Sequence, residues 1–254
     1  MLIAVTREVS RSIVNCELTH LERVPIDLEN ARRQHHAYEA ALRSLGVEVH
    51  SLPEEPDLPD AVFVEDTAVV LDECAVITRP GADSRRPETG SIARLLGTYR
   101  TLFTIQAPGI VDGGDVLTVG KDIWVGLTAR SNRAAVDQMQ DFLRPYGYTV
   151  HGVPVTGCLH LKSAVTQAAE NTLLINPNWV RREDFPGMQF IEVDPSEPYA
   201  ANVLLVGGTP VYQPAFPKTR ARLEAAGLDP VLVDASELAK AEAALTCCSL
   251  IFKG

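Results

Sequence analysis

Residues 61–77 read AVFVEDTAVVLDECAVI. Three short apolar runs, Ala61–Val64, Ala68–Leu71 and Cys74–Ile77, are separated first by an acidic pair and then by Asp72-Glu73. Apolar runs of this length, bounded by polar and turn-prone residues, read as buried strands joined by tight connections. A helical stretch over Glu88–Leu96 and a further strand at Leu102–Ile105 come next. The local order is therefore strand, strand, helix, strand.

Outward from this stretch the order recurs. Val116–Val119 and Ile123–Gly126 lead to a helix over Ser131–Leu143 and a strand at Thr149–Val153. Ala164–Thr166 and Thr172–Ile175 form another strand pair. Val203–Val206 and Pro210–Tyr212 lead to a helix over Lys218–Ala226, stopped by Gly227, and to a strand at Val231–Val233. Near the N-terminus the strand-like MLIAVTREV precedes a helix over Asp27–Leu45. Asp27 is its N-cap, Leu28, Ala31, Tyr38, Leu42 and Leu45 make an apolar stripe, and Gly46 can end it in a left-handed conformation. The strand Val47–Leu52 follows. Units recurring roughly every 40 to 50 residues indicate a propeller, solenoid or array, and about five such units fit the 254 residues. The reading predicts an α/β fold; a propeller of ββαβ units of this length would be one domain over residues 1–254. In a closed ring the same end of every unit faces a central channel, so polar residues at those ends converge.

Composition bounds the function. Apolar residues at 46% and charged residues at 22% suit a globular chain with a sizeable core. No apolar run is long enough for a membrane span, and the N-terminal segment lacks the basic flank and cleavage site of a signal peptide; the expected location is the cytoplasm. A net charge of −10 argues against nucleic acid or an anionic membrane as partner and suits a cationic small molecule. The five cysteines, Cys16, Cys74, Cys158, Cys247 and Cys248, are irregularly spaced with no CxxC. That pattern speaks against a disulfide framework or a structural zinc site.

Polar clusters interrupt the apolar stretches at strand edges. They are Asp60 with Glu65-Asp66; Arg85-Arg86; Asp112-Gly113-Gly114-Asp115; His160 with Lys162-Ser163; and Thr246-Cys247-Cys248-Ser249. Singly, each has a structural explanation: an exposed turn, a glycine loop, a core histidine, a core strand with two small thiols. If the last segment is a strand, the two thiols point to opposite faces, and at most one faces a site. As a set they suit attack on a guanidinium carbon. Carboxylates hold the N–H fork, a thiolate supplies the nucleophile, a histidine protonates the departing amine, and arginines bind a substrate carboxylate.

The strings FVEDTAVV, ITRPGADSRRPE, DGGDVLTVG, GLTARSN, GCLHLKSAVT and LTCCSLIF, in this order and over nearly the whole chain, resemble the dimethylarginine dimethylaminohydrolases, members of the pentein superfamily of guanidine-modifying enzymes. The resemblance implies a five-bladed pentein fold and hydrolysis of methylated arginine to citrulline through a covalent thiouronium, with no cofactor and no metal. It implies Cys247 as nucleophile, His160 as general acid and later base, and Asp112 as the acid paired with it. It also implies Asp60 and Asp66 at the guanidinium, with Glu65 in the same substrate-binding strand, and Arg85 and Arg130 at the α-carboxylate. Leu18 falls in a lid over Asn15–His20, and the backbone around Ala241 and Glu242 faces the α-amino group. The lid string NCELTH and the side chains at Ala241 and Glu242 depart from the family's usual pattern. An arginine deiminase-type hydrolase, an amidinotransferase and a non-catalytic binding protein of the same fold are the alternatives. A homodimer is left open.

Overall fold

The structure, a computed structural model, describes residues 1–254. In chain order β1 (Leu2–Arg7), α1 (Leu28–Ser44) and β2 (Glu48–Leu52) come first. The second unit is β3 (Ala68–Val70), β4 (Cys74–Ile77), α2 (Thr89–Leu96) and β5 (Thr101–Thr104). The third is β6 (Val116–Val119), β7 (Asp122–Leu127), α3 (Arg133–Leu143) and β8 (Thr149–Pro154). A single turn, α4 (Leu161–Ala164), opens the fourth, with β9 (Val165–Ala169), β10 (Thr172–Ile175) and β11 (Gln189–Glu192). The fifth is β12 (Leu204–Val206), β13 (Thr209–Tyr212), α5 (Pro217–Ala225) and β14 (Val231–Leu232). A short α6 (Ser236–Ala239) and the last strand, β15 (Leu250–Lys253), follow.

The strands form five three-stranded sheets. In each, the first strand runs antiparallel to the middle one and the third runs parallel to it. The first sheet takes its first strand from the far end of the chain: β15 pairs with β1, from Leu2 opposite Lys253 to Val5 opposite Leu250. That pairing closes the ring, and the predicted five-unit propeller is the observed architecture.

The core is divided into five wedges, each between two adjacent blades. Ile3 and Val5 of β1 pack with Ala75 and Ile77 of the second blade. Ala4, the residue between them, points into the wedge shared by α1 and the fifth blade. Val69 and Val76 meet Val116 and Val125; Leu117 and Trp124 meet Val165 and Leu173; Ala168 and Leu174 meet Val203 and Tyr212. Alternate residues of the inner two strands serve different wedges, so those strands are largely buried on both faces, while the outer third strands β2, β5, β11 and β14 are partly exposed. This is why the inner strands read as apolar runs rather than as alternating patterns.

Local signals act as expected along most of the chain. The Asp27 carboxylate accepts the amide of Asn30 and caps α1, and Gly46 ends it at φ +80°. Asn132, one residue inside the predicted helix start, caps α3 through the amide of Ala135. The main correction falls on Ala61–Val64, which is not a strand. The amides of Phe63 and Asp66 bond back to the carbonyls of Asp60 and Phe63, and a 3₁₀ turn spans Val64–Thr67. The run is apolar because it is buried on all sides near the channel, not because its backbone is extended. The same correction applies to Cys247-Cys248, which lie in a 3₁₀ turn over Thr246–Cys248.

These corrections share a pattern. One helical turn stands just before the first strand of four blades: Val64–Thr67 before β3, Gly113–Asp115 before β6, α4 before β9, and Thr246–Cys248 before β15. Asn202 holds the corresponding place ahead of β12. Pseudo-symmetry carries all of these positions to the channel.

Candidate active site

The turns meet backbone to backbone. A Cβ on Gly113 would lie 1.9 Å from the Glu65 carbonyl oxygen, and one on Gly114 would lie 2.6 Å from His160 Nδ1. Neither glycine has a positive φ. The pair serves close approach of two turns rather than left-handed backbone, and the Gly114 amide uses the proximity to donate to Asp66 Oδ1 at 2.8 Å.

Above the turns lies a chamber of about 320 Å³. Of the residues singled out in the sequence, Asp60, Asp66, Arg85, Arg130, His160, Ala241, Glu242 and Cys247 line it. Asp112 sits immediately behind it, fully buried, with Oδ2 at 3.1 Å from His160 Nε2 and 3.4 Å from an Arg130 nitrogen. Its other oxygen accepts the Gly81 amide at 2.9 Å. Asp115, the second acid of the DGGD string, faces away and accepts from Thr128, Ser131 and the Leu161 amide. It thereby fixes the turn that follows His160.

Two further expected residues, besides Asp112, lie outside the chamber wall. Glu65 faces the opposite mouth of the channel, where a second cavity of about 880 Å³ opens between the first strands of the blades. Its carboxylate accepts from Lys162 Nζ at 2.7 Å and from the Thr246 hydroxyl at 3.0 Å. Asn202 donates to Thr246 Oγ1 at 3.0 Å and to the Lys162 carbonyl at 3.1 Å. This buried network forms the floor between the two mouths. Leu18 packs against the wedge between the fifth and first blades, while its neighbour Glu17 lines the chamber. Glu17, Phe63, Leu159 and Ala243 are wall residues the sequence did not single out. Each is adjacent to or close beside a residue that it did: Leu18, Val64, His160 and Glu242.

Charge is balanced within the site. Arg85 donates to Asp66 at 2.6 Å, to both Glu88 oxygens at 3.2 and 2.9 Å, and to the carbonyls of Asp60 and Phe63 at 3.3 Å. Most of its fork is therefore committed within the protein. Arg130 stands at the rim, with one terminal nitrogen toward Asp112 and the other 3.1 Å from Thr19 Oγ1 of the lid. Burial alone pulls the His160 pKa down, but Asp66, the Asp112 hydrogen bond and Asp115 outweigh it and lift the pKa to about 9. Burial pushes Asp66 up, yet Arg85 and His160 hold it at about 2. The Cys247 thiol is pushed well above its ordinary range by burial and by Glu65 and Asp66; its sulfur accepts the Ala244 amide at 3.4 Å. Burial likewise raises Asp60. Ligand atoms of Asp66, Asp112 and His160 come within 4.8 Å of one another, but both carboxylates already carry arginine partners. The cluster is neutralised by protein cations and by a proton on His160.

A half-buried thiol, a protonated imidazole and carboxylates around one small chamber are the groups that nucleophilic attack on a cationic, nitrogen-flanked carbon requires. On a ring of five blades, four of them ββαβ and the fourth crossing over through a 3₁₀ turn at Arg182–Asp184 in place of a helix, they make this a guanidine-modifying enzyme of the pentein class. The family model described as "N,N dimethylarginine dimethylhydrolase, eukaryotic" matches residues 18–183. A dimethylarginine dimethylaminohydrolase of Streptomyces coelicolor is 39% identical over 251 residues, 97% of this chain and 95% of the relative. The solved enzyme of Pseudomonas aeruginosa, a cysteine-to-serine variant in complex with citrulline, superposes with a TM-score of 0.94 at 34% identity, covering 98% of both chains. A solved histidine-to-glycine variant of a dimethylarginine dimethylaminohydrolase, an adduct with S-methyl-L-thiocitrulline, gives 0.92 at 34% identity over 98% of this chain and 99% of that one. The chain belongs to the dimethylarginine dimethylaminohydrolase family.

Proposed function

We infer that the protein hydrolyses Nω,Nω-dimethyl-L-arginine, and the monomethyl form, to L-citrulline and dimethylamine or methylamine. The observation that carries this reading is the single chamber walled by Cys247, His160, Asp60 and Asp66, with Arg130 at its rim. The substrate guanidinium sits against Asp60 and Asp66, and its α-carboxylate reaches Arg130, with Arg85 behind. The backbone at Ala241 faces the α-amino group, and Leu18 and its neighbours cover the substrate. Glu65 acts from the floor through its charge. Residues 1–254 act as one unit on a small-molecule substrate. No helix is long and apolar enough to cross a membrane.

The Cys247 thiol gives up its proton to solvent when the cation enters, because positive charge beside Asp66 and above Glu65 relieves the repulsion that keeps the thiol neutral. The thiolate forms a bond to the guanidinium carbon. The bond to the dimethylamino nitrogen breaks, and that nitrogen takes the proton of His160, which a pKa of about 9 keeps in place at neutral pH. An S-alkylthiouronium remains. His160, now neutral, takes a proton from water, whose oxygen adds to the same carbon. The bond to the Cys247 sulfur breaks, the departing thiolate takes the proton of the added hydroxyl, and neutral citrulline and thiol are left. Asp112, bonded to His160 Nε2, orients the ring and stabilises its charged form.

Mass spectrometry of products from a panel of dimethyl-, monomethyl- and unmethylated arginine and agmatine tests this reading. Citrulline with dimethylamine is expected, at a rate well above citrulline formation from arginine. Preferred turnover of arginine to citrulline and ammonia would replace it with the deiminase reading. The raised thiol gives a separate expectation. In the unliganded enzyme, iodoacetamide alkylation of Cys247 should be slow at pH 7 and should still climb at pH 9, because the reactive thiolate fraction grows with pH below the pKa. A plateau below pH 8 would contradict it.

A further inference from the structure

Lid and chamber meet at one residue whose side chain the mechanism leaves unused. Glu242 is one of two non-glycine residues with a positive φ, +59°, a region that L-residues with long side chains seldom occupy unless the surroundings hold them there. Its carboxylate explains the conformation. Oε2 accepts the amide of Thr19 at 2.9 Å, and Oε1 accepts the amides of His20 and Leu21 at 2.5 Å each. Three successive lid amides therefore converge on one side chain that lies more than 200 residues away in sequence. Arg130, at the chamber rim, donates to Thr19 Oγ1 beside the same amides at 3.1 Å. At the lid's other end the Glu17 amide donates to Asp60 Oδ2 at 3.1 Å.

We propose that Glu242 is a positioning residue for substrate binding, a latch whose carboxylate holds the lid segment Thr19–Leu21 down over the chamber through three backbone amides. This rests on the reading of the chamber as the methylarginine site. A carboxylate is the fitting group, since charge-assisted bonds to amides are roughly twice as strong as neutral ones. Through Thr19 the latch also reaches Arg130, so the closed lid and the α-carboxylate anchor are set together. The latch touches no reacting atom. Its loss should weaken substrate retention without slowing the bond-making steps.

The test uses Glu242→Gly and Glu242→Gln. Glycine accepts the +59° backbone without strain, so Glu242→Gly should keep or raise Tm while removing the latch. In the free enzyme, hydrogen exchange at the amides of Thr19, His20 and Leu21 should accelerate at least about tenfold in Glu242→Gly, and less in Glu242→Gln, which keeps an acceptor. KM for dimethylarginine should rise about tenfold in Glu242→Gly with kcat undiminished. Unchanged exchange at these amides would overturn the latch, as would faster exchange with unchanged KM. The exchange arm needs no substrate. A failure of the methylarginine reading, seen as no turnover of methylated arginines by the unaltered enzyme, is therefore distinguishable from a failure of the latch.

Discussion

Cys247→Ser should lower turnover of dimethylarginine by at least about four orders of magnitude and leave the fold intact. Serine fits the 3₁₀ turn and can still accept the Ala244 amide, which lies 3.4 Å from the sulfur, so the turn has no reason to rearrange. The chemistry has no such tolerance. A hydroxyl ionises far less readily than a thiol, and the site offers no base: His160 is held protonated, and Asp66 is paired with Arg85. The cation that suffices to draw a proton from sulfur does not draw one from oxygen. The neighbouring thiol gives the contrast. Cys248 is 1% exposed, burial pushes its pKa to about 12, and its sulfur points to the Ala244 carbonyl within the wedge between the fifth and first blades. Cys248→Ser should remain active and lose about 1–3 kcal/mol of stability for burying a hydroxyl. Steady-state kinetics with thermal denaturation of both variants checks the pair. Measurable turnover by Cys247→Ser, or an inactive, folded Cys248→Ser, would reverse the assignment.

His160→Gly separates the acid role from the base role. With dimethylarginine, kcat should fall by about three to four orders of magnitude, because dimethylamine cannot leave without a proton. S-methyl-L-thiocitrulline carries a thiolate leaving group that departs unprotonated. The first half of the reaction should therefore proceed with this substrate, releasing one methanethiol per active site. The second half should stall, since no base remains to activate water. The expected record is a stoichiometric thiol burst and a persistent mass increase on Cys247. Sustained multiple turnover of this substrate by the variant would show that His160 is not the base.

The strand pairs were legible because the inner two strands of each sheet are largely buried on both faces, and apolar runs such as Val116–Val119 announce that burial. The same rule misread Ala61–Val64. Hydrophobicity reports that these residues are enclosed and says nothing of whether the backbone is extended. The two thiols do diverge, one toward the chamber and one into a wedge, but a helical turn separates them rather than a pleat. The chemistry-bearing residue types were visible because acids and a histidine are out of place among valines and leucines. Their partners were not. The bonds from Arg85 to Asp66 and Glu88, from Lys162 to Glu65 and from Glu242 to the lid amides depend on which turns the ring brings together. Residue type alone does not encode that placement.

The closure of the ring by β15 against β1 has a kinetic meaning. Its paired residues are nearly the whole chain apart, and non-local pairings of this kind are the slow events of folding, although the equilibrium cost of so long a loop grows only logarithmically. Cys247 lies in the turn that leads into β15. Until the two ends zip together the thiol has no fixed relation to His160 or Asp66, however well the three middle blades have formed. Recovery of activity during refolding should therefore follow the pairing of the final strand and never precede it.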